Sequence, residues 1–457
     1  MSPKTPAIAI IGAGLSGLSA AWEILQLRPE CQVTVFEAGS QLGGKIRTEL
    51  QDGFLYEHGP NGWLASRQSI SSLVERVGLG GEVMQADEAA ANRYLWRQNR
   101  LLKLPSKPLQ ILGWEGLTWT GRMRLAGDFL QKPRSEEDES VHDFASKQWG
   151  AEFADAVFDP FCTGVFGADC RKLSMRSCFP PVFAWQRRYG SVTRGAIASR
   201  PKSSGPKKKG PGLHSLKRGM GSLIEALAAQ IPLPSRILLD QAVTAIRLEG
   251  RQVRLESGAE SGLFDGLILA CPADAVSTLL GDLLPPDLRQ RNQAIAYTSM
   301  GVAVCGFRSS GAPLLPPSFG FLVPSSEPAQ ILGCLLDSRV FPGRCEAGHE
   351  VLRMMFGGPR SPELLDRSDD ELKSILLPEL RRTLQLGRDP DFIKIIRWPR
   401  AIPSPAPFHF RLVDELEKAL AGRPVVLAGN AYHGVSMDDC ARTGKEAATG
   451  IFARMPQ

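Results

Sequence analysis

Hydrophobic residues in the first forty positions form two short continuous runs, with a helix-like pattern between them. Ile8 to Ile11 is an unbroken apolar run of strand length, and a second run spans Val33 to Phe36. Between them, Leu18 to Leu27 has a helix-like pattern. Continuous apolar strands on either side of a helix are typical of parallel strands that are buried on both faces. The pattern therefore predicts a βαβ unit at the start of the chain.

The turn between the first strand and the helix reads Gly12-Ala13-Gly14-Leu15-Ser16-Gly17. Here Gly12 permits a tight turn, Gly14 lets the backbone approach a pyrophosphate, and Gly17 lets helix and strand pack closely. Phosphate oxygens would meet free N–H groups at the helix N-terminus. Glu37 falls twenty residues after Gly17, where a carboxylate can bond a ribose diol and disfavour a 2′-phosphate. These features predict adenosine-nucleotide binding; the alternative is a glycine-rich helix start that binds nothing.

Glycine-rich loops recur at the ends of later apolar runs. Leu42 to Thr48 and Tyr56 to Trp63 contain two glycines each, and such loops either turn a corner or lie against a ligand. Val425 to Leu427 is a further strand-like run that leads into a glycine turn and a helix. Leu263 to Ala270 is another apolar strand. The nucleotide domain is therefore expected to consist of three separated pieces of the chain.

The remainder of the chain divides into a mixed region and an amphipathic region. The mixed region, from Tyr297 to Pro399, holds several strand-like runs: Val302–Val304, Phe319–Val323, Ile331–Leu336 and Leu352–Phe356. Leu109 to Leu130 alternates apolar and polar groups in an amphipathic pattern, with Trp114 and Trp119 expected at the depth of a membrane interface. A pair of helices that faces the protein core would give the same pattern.

Composition limits the class of protein. A chain of 457 residues with 43% apolar and 22% charged residues is an ordinary globular composition, long enough for two or three domains. The nine cysteines are scattered, with no CxxC pair and no zinc-ligand spacing. We expect reduced thiols in a cytosolic setting, no signal peptide, no metal and no membrane-spanning helix.

The net charge of +6 is unevenly distributed. Arg187 to Arg218 contains ten Lys or Arg residues and no acid, and it includes the insert Lys202 to Gly212. This segment is either a solvated linker or a surface that is attracted to anionic lipid headgroups. Nucleic acid is not expected, because no aromatic residues are interleaved with the charges in a stacking pattern.

Several short motifs are specific in combination: His58-Gly59-Pro60-Asn61-Gly62, Asn92-Arg93-Tyr94-Leu95, Arg194-Gly195-Ala196-Ile197, Gly219-Met220-Gly221, Gly320-Phe321-Leu322-Val323-Pro324, Phe341-Pro342-Gly343-Arg344, Gly357-Gly358 and Ala428-Gly429-Asn430-Ala431-Tyr432. With them the chain resembles, over nearly its whole length, the protoporphyrinogen oxidase family, a branch of the flavin amine-oxidase-like superfamily. The basic insert is not a feature of that family's pattern.

The resemblance implies an α/β fold: an FAD-binding Rossmann-like domain, a mixed α/β substrate domain and a mainly helical membrane-binding segment. It places the FAD-binding domain at residues 1–90, 212–275 and 421–457, the helical membrane-binding region at 91–211 and the substrate domain at 276–420.

The resemblance also implies the residues of the site. FAD, bound without a covalent link, is expected to contact the glycine turn, the acid that follows the second strand, three further loops and one backbone position: Gly12, Ala13, Gly14, Leu15, Ser16, Gly17, Glu37, Ala38, Gly44, Lys45, Gly59, Pro60, Asn61, Gly62, Val243, Val435, Ser436 and Met437. The porphyrinogen is expected to contact Arg93 through a propionate, and Phe319, Gly320, Leu322 and Met355 through its rings. The neighbouring Met354 leaves the last assignment open by one residue.

The implied reaction is the six-electron oxidation of protoporphyrinogen IX in haem-type porphyrin biosynthesis. Two alternatives stay open: oxidation of coproporphyrinogen III, and a flavoprotein that binds porphyrin without turnover. The expected electron acceptor is dioxygen or a quinone, and the expected location is cytoplasmic, peripheral on the membrane surface. A homodimer is left open. No acid–base residue is nominated as catalytic, because the sequence holds no recognisable nucleophile triad or carboxylate pair.

Overall fold

The computed structural model describes residues 5–106, 108–134, 137–199, 212–258, 260–308 and 314–455. The basic insert therefore lies outside the described residues, apart from Gly212. The strands are β1 (Ala7–Ile11), β2 (Gln32–Phe36), β3 (Thr48–Gln51), β4 (Phe54–Glu57), β5 (Trp63–Leu64), β6 (Val83–Gln85), β7 (Arg93–Arg97), β8 (Arg100–Lys103), β9 (Leu213–Leu216), β10 (Arg236–Leu238), β11 (Ala245–Glu249), β12 (Gln252–Ser257), β13 (Glu260–Phe264), β14 (Gly266–Leu269), β15 (Met300–Phe307), β16 (Gly320–Leu322), β17 (Ile331–Leu335), β18 (Glu350–Gly357), β19 (Phe392–Trp398) and β20 (Val425–Leu427).

The α-helices are α1 (Leu15–Leu27), α2 (Gln68–Arg76), α3 (Trp119–Ala126), α4 (Val141–Trp149), α5 (Ala151–Phe153), α6 (Asp159–Phe166), α7 (Met175–Cys178), α8 (Pro180–Tyr189), α9 (Val192–Ala198), α10 (Gly221–Ala229), α11 (Ala273–Leu280), α12 (Pro286–Gln293), α13 (Asp337–Val340), α14 (Asp369–Leu384), α15 (His409–Ala419) and α16 (Met437–Arg454). A π-helical turn, Ala154–Phe158, joins α5 to α6, and short 3-10 turns occur elsewhere.

The first layer is a parallel sheet in the order β10-β2-β1-β14-β20. Its strands come from three separated parts of the chain, since β1 and β2 precede residue 40, β10 and β14 follow residue 230, and β20 lies near the C-terminus. Helices α1 and α16 pack on one face, and the β11–β13 meander with α11 and α15 covers the other. The central strands are apolar throughout because both faces are buried.

The second layer is a mixed seven-stranded sheet in the order β19-β15-β18-β17-β16-β7-β8. Leucines of α14 pack on one face of this sheet, the face that carries Met354 of β18. The opposite face packs against the β3–β4 hairpin and against the loops that follow the parallel sheet. Side chains that alternate along one strand therefore face either the α14 core or the nucleotide domain.

A helical region, α3 to α9, has an aromatic core and, among its described residues, three buried acids that include Asp128. Asp128 accepts hydrogen bonds from Gln148 Nε2 at 2.6 Å, Trp149 Nε1 at 3.1 Å and Ser191 Oγ at 2.6 Å. It also accepts one from the Thr193 N–H at 2.9 Å. Burial alone would raise the pKa of Asp128, but these bonds lower it overall, so the carboxylate is a fixed acceptor that ties the helices together.

The expectation that Trp114 lies at a membrane interface is wrong. Trp114 is only 6% exposed, packs into the aromatic core of the helical region, and donates its Nε1–H to the Lys103 carbonyl at 2.9 Å. Trp119, in contrast, is 72% exposed on α3. The amphipathic pattern was real, but the pattern alone could not say which of the two indoles has a buried hydrogen-bond partner.

Two local assignments also differ from the sequence-based ones. Arg93 to Lys103 forms β7 and β8, which belong to the seven-stranded sheet, so the change of layer does not fall at residue 91. Leu263 to Ala270, expected as one strand, is divided between the end of β13 and β14 (Gly266–Leu269). Within the described residues, no helix is long and apolar enough to cross a membrane.

Candidate cofactor and substrate site

The glycine turn after β1 forms an open cradle. A Cβ on Gly12, whose φ is 104°, would lie 2.7 Å from the Ala270 carbonyl oxygen, and one on Gly17 would lie 1.9 Å from the Gly12 oxygen. These two glycines are required by the fold itself. A Cβ on Gly14 would meet nothing within 4 Å, so Gly14 borders open space.

The helix that starts at this cradle is suited to an anion. Helix α1 begins at Leu15, and Gly14 at its N-cap supplies no side-chain hydrogen bond. Its first turn contains no acid. Backbone N–H groups of the first turn, including that of Ser16, therefore have no side-chain acceptor in competition with a ligand. Open space and uncapped N–H groups together fit a pyrophosphate.

Glu37 stands beside this cradle and is held by backbone N–H groups. Its Oε2 accepts a hydrogen bond from Ala13 at 2.8 Å, and its Oε1 accepts one from Gly39 at 2.9 Å. Ala38 is exposed. A carboxylate fixed by two N–H groups keeps further lone pairs for the hydroxyls of a ribose.

The segment that carries Val243 runs along the same edge. The Glu37 N–H donates to the Leu238 carbonyl at 2.9 Å, and the Gln241 N–H donates to the Glu37 carbonyl at 2.8 Å. Val243, two residues further on, is half-buried against the core beside β2. The backbone of Val243 therefore follows directly on a segment that is hydrogen-bonded to Glu37.

Lys45 occupies the loop that lies against the glycine turn. Gly14 and Gly43 form a parallel bridge, and a Cβ on Gly44 would lie 3.6 Å from the Gly14 Cα. The Lys45 Nζ lies 5.9 Å from the ring centre of Tyr297. Burial lowers the pKa of Lys45, which makes its ammonium a strong donor to an anionic or polar ligand edge.

The loop formed by Gly59, Pro60, Asn61 and Gly62 is pressed between two backbones. A Cβ on Gly59 would lie 2.3 Å from the Lys45 oxygen, and a Cβ on Gly62 would lie 2.3 Å from the His214 oxygen. Larger side chains would displace the loop from both neighbours. The structure thus brings this loop next to Lys45.

The C-terminal helix brings Val435, Ser436 and Met437 towards the same turn. Helix α16 crosses α1 closely, since a Cβ on Gly444 would lie 2.5 Å from the Ser16 carbonyl oxygen. Ser436 caps α16 and forms a closed capping box with Asp439. Two acids in the first turn offset part of the positive potential of this helix end.

An apolar floor lies beside these loops. Met355 is buried in one cluster with Met300, Leu332 and Ala401, and Leu322 packs against it. Leu322 also joins the cluster that contacts Val435, so it connects the floor to the C-terminal loop. Met354 faces α14 on the other side of the sheet, and the pleat therefore selects Met355 as the residue on this face.

Arg93 begins β7, the strand that pairs with β16 and therefore with Leu322 of the apolar floor. Its guanidinium carbon is 4.8 Å from the ring centre of Phe319, and Arg93 pairs with Gly320 in the parallel register of β7 and β16. Gly320 has a φ of 130°, and a Cβ there would lie 2.0 Å from the Cys334 oxygen. Arg93 is exposed and makes no ion pair with any described residue, and desolvation lowers its pKa, so its guanidinium is available to an anionic ligand.

The histidines of the site are already paired. His58 Nε2 lies 2.9 Å from Glu49 Oε2, and His433 Nε2 lies 2.8 Å from Glu417 Oε1. Neither is a free base beside the apolar floor. Across the described ranges, no group of three or more metal-ligating side chains converges.

Two aromatic residues near the site could not be predicted from the sequence. Trp398 packs against the Met355 cluster and donates its Nε1–H to the His58 carbonyl at 2.8 Å. Tyr297 lies between Lys45 and Arg400, whose guanidinium is 4.8 Å from the ring centre. Both stand at strand ends or bends far along the chain, where no local pattern marks them.

Comparison with known proteins gives consistent results. The profile of the flavin containing amine oxidoreductase family matches residues 15–452. A protoporphyrinogen oxidase of Bos taurus is 31% identical over 98% of this chain and 99% of its own. A coproporphyrinogen III oxidase of Bacillus subtilis is 26% identical over 98% of both chains.

The fold agrees with these relatives. A crystal structure of a provisionally assigned protoporphyrinogen oxidase from Exiguobacterium sp. 255-15 superposes with a TM-score of 0.86. It covers 99% of this chain and 100% of that one, at 23% identity. On the profile match over residues 15–452 and the relatives at 30% identity or more, the chain belongs to the flavin-containing amine oxidoreductase family.

Proposed function

We propose that this protein oxidises protoporphyrinogen IX to protoporphyrin IX, a loss of six electrons, with FAD as its cofactor. The observation that carries the proposal is an exposed Arg93 guanidinium without an ion-pair partner among the described residues. Arg93 lies on the strand next to Leu322 of the apolar floor, in a protein whose loops fit a dinucleotide. A porphyrinogen combines those two features, since it has a broad apolar ring system and carboxylate side chains. The full-length similarity to the Bos taurus enzyme supports the same substrate class.

The cofactor residues are proposed by position. The glycine cradle would hold the pyrophosphate, Glu37 the ribose, the backbone at Val243 the adenine, and Lys45 with residues 59–62 and 435–437 the flavin. When bound, FAD supplies two-electron redox chemistry at the flavin ring. The protein supplies position and a dry apolar wall, formed by Leu322 and Met355, against which the substrate carbon would be held.

Substrate orientation is proposed to depend on Arg93 and Phe319. A bidentate guanidinium would fix one propionate, and the stacked Phe319 ring would hold the guanidinium plane in place. Because the two histidines of the neighbouring loops are already paired, protons released from pyrrole N–H groups are proposed to leave to water.

FAD is proposed to bind without a covalent link. Cys440, the cysteine closest along the chain to residues 435–437, hydrogen-bonds with Ser16 at the start of α1 and thus lies beside the pyrophosphate turn. Burial raises its pKa to about 11, so the thiol stays protonated and is a poor nucleophile. Acid precipitation should release all flavin into the supernatant; a yellow pellet would contradict the proposal.

Coproporphyrinogen III is the second candidate, favoured by the match to the Bacillus subtilis enzyme. It carries propionates where protoporphyrinogen carries vinyl groups. The apolar side chains of Leu322, Leu332 and Met355 suit vinyl groups better, since a propionate buried there without a partner would be costly.

The deciding experiment is turnover of the purified holoenzyme with each porphyrinogen, followed by porphyrin fluorescence, with dioxygen or a quinone as acceptor. We expect the higher kcat/KM with protoporphyrinogen IX. A higher kcat/KM with coproporphyrinogen III would reverse the assignment. Binding of either compound without turnover would identify a non-catalytic porphyrin-binding flavoprotein.

We further propose that the helical part of residues 91–211 rests on a membrane surface. Five apolar side chains of its first third are exposed: Leu112 39%, Trp119 72%, Met123 57%, Phe129 50% and Leu130 86%. Trp119 and Met123 lie one turn apart on α3. Inserted apolar side chains contribute roughly 1.5–3 kcal/mol each when fully buried, so several together can hold a protein at an interface.

Vesicle flotation tests this proposal. The double variant Trp119→Gln with Leu130→Gln should lose binding to anionic vesicles. Leu50→Gln removes a 70% exposed leucine from β3, outside the helical region, and serves as the matched control. Wild-type protein that fails to float with anionic vesicles at low salt would refute the proposal.

A further inference from the structure

Residues 57–62, here called the flavin loop, have an unusual pattern of hydrogen bonds. After Glu57 the loop has no regular secondary structure, yet side chains distant in sequence bind its carbonyl oxygens. Arg353 Nη1 donates to the Glu57 carbonyl at 2.9 Å and to the Gly59 carbonyl at 2.7 Å. A single buried guanidinium thus satisfies two acceptors that a strand partner would otherwise have to satisfy.

Two other side chains complete the set. Trp398 Nε1 donates to the His58 carbonyl at 2.8 Å, and Ser215 Oγ donates to the Asn61 carbonyl at 2.6 Å. Arg344 Nη2 in turn donates to Ser215 Oγ at 2.6 Å. Four carbonyls of the flavin loop are therefore fixed by side chains of β9, β18 and β19.

The Arg353 side chain is itself fixed by an aspartate. Its Nε lies 2.6 Å from Asp337 Oδ2 and its Nη2 lies 3.1 Å from Oδ1, with side chains only 3% and 5% exposed. Asp337 Oδ1 also accepts a hydrogen bond from Asn61 Nδ2 at 2.9 Å. The ion pair therefore forms hydrogen bonds with both the loop backbone and the Asn61 side chain.

A buried ion pair is weak support for stability, because apolar residues of the same volume often stabilise a core equally well. Apolar residues could not, however, form hydrogen bonds with the Glu57 carbonyl, the Gly59 carbonyl and the Asn61 side-chain amide. Arg353 also lies two residues before Met355 on β18, so both side chains leave the same face of the strand. One strand thus supplies both the arginine that binds the flavin loop and a methionine of the substrate floor.

We infer that Arg353 is a positioning residue that sets the place of the flavin loop relative to the substrate floor. The inference rests on the proposed function only in that residues 59–62 line FAD. Asp337 orients the guanidinium, and Trp398 acts on the same loop through His58.

The test compares Arg353→Met with Arg397→Met. Arg397, on β19 of the same sheet, has a similar set of contacts: the Leu365 carbonyl at 3.1 Å, the Arg367 carbonyl at 2.7 Å and Asp369 at 2.6 Å. None of these belongs to the flavin loop. The readouts are the Kd of FAD for apoprotein, from quenching of free-FAD fluorescence, and the visible circular dichroism of bound flavin.

Arg353→Met should weaken FAD at least tenfold and change the visible dichroism, while Arg397→Met should change neither. Arg353→Lys keeps the charge but loses the forked geometry, so it should fold and show the altered dichroism with a smaller loss of affinity. This variant decides the matter if Arg353→Met does not fold. Trp398→Phe should alter the dichroism in the same direction.

The inference would be overturned if both Arg353 variants bound FAD with a Kd within twofold of wild type and showed an unchanged dichroism spectrum. It would also be overturned if Arg353→Met and Arg397→Met had equal effects. These readouts do not involve a porphyrinogen. A protein that oxidises neither porphyrinogen but shows the Arg353 effect would refute the proposed function alone, and the converse result would refute the positioning role alone.

Discussion

Replacement of Arg93 by alanine separates substrate binding from catalysis. The guanidinium is stacked on Phe319 at 4.8 Å and makes no ion pair with any described residue, so its removal breaks no internal salt bridge. The folded protein loses only a partly exposed cation–π contact, worth about 0.5–1 kcal/mol. We therefore expect Arg93→Ala to fold and to bind FAD normally.

The loss on the substrate side should be larger. A hydrogen bond between a guanidinium and a carboxylate contributes roughly 1.5–3 kcal/mol. Since 1.4 kcal/mol corresponds to about a tenfold change in equilibrium constant, KM should rise roughly 10- to 140-fold. The propionate contact is present before and during oxidation alike, so kcat should change much less than KM.

The assay is steady-state porphyrin fluorescence with substrate concentrations that span the raised KM. Arg100→Ala is the matched control: Arg100 lies on the adjacent strand, is exposed and already pairs with Glu115 at 3.1 Å. Arg93→Lys should recover only part of the affinity, because an ammonium cannot make the forked contact. A KM for Arg93→Ala within twofold of wild type would remove Arg93 from the substrate site.

Three further predictions concern the cofactor and the folded state. Gly14→Ala should leave the melting temperature of apoprotein unchanged, since its Cβ meets no protein atom within 4 Å, but weaken FAD at least tenfold in a fluorescence titration; unchanged affinity would contradict the pyrophosphate assignment. Asp128→Ala removes the acceptor of five hydrogen bonds, most of them buried, and should lower the free energy of unfolding by roughly 3–5 kcal/mol in urea denaturation, with Asp143→Ala, an exposed acid of the same region, as the milder control. Burial lowers the pKa of His409 below its ordinary value of 6.5, so the unfolded chain binds more protons and stability should fall as pH drops below about 6.5. His409→Gln should flatten that part of the pH profile, and an identical profile would contradict the assignment.

The sequence was sufficient where a signal is local. The first thirty-seven residues contain the apolar runs of β1 and β2, the glycine turn and Glu37. Each of these features has a local cause: burial of the strands on both faces, a tight turn, and an acid directly after a strand. The same reasoning located the strands from β15 to β18 to within a few residues. It failed for Arg93 to Lys103, because a short hairpin with charged residues on both faces has no distinctive pattern until its partner β16 is known.

The site was harder to predict because its contacts join distant parts of the chain. Arg353 and the Glu57 carbonyl are 296 positions apart, and Trp398 and His58 are 340 apart. An arginine in the middle of an apolar strand indicates a buried ion pair but cannot name the partner. Trp114 shows the same limit, since it packs into a core built from several segments and its N–H binds the Lys103 carbonyl, neither of which a local pattern reveals.

The pleat of β18 explains how one sheet can carry both the proposed substrate contact, Met355, and the side chain that holds the proposed flavin loop, Arg353. Arg353 and Met355 point towards the nucleotide domain, and Met354 between them packs with the leucines of α14. A shift of one residue in the register would bury the guanidinium against α14, where its charge would lack Asp337, and would expose Met354 to the flavin loop. Such a shift would leave a buried charge without its partner, at a cost of several kcal/mol. The ion pair therefore fixes the register of the strand as well as the loop, and the substrate floor and the flavin loop keep their relative positions for the same physical reason.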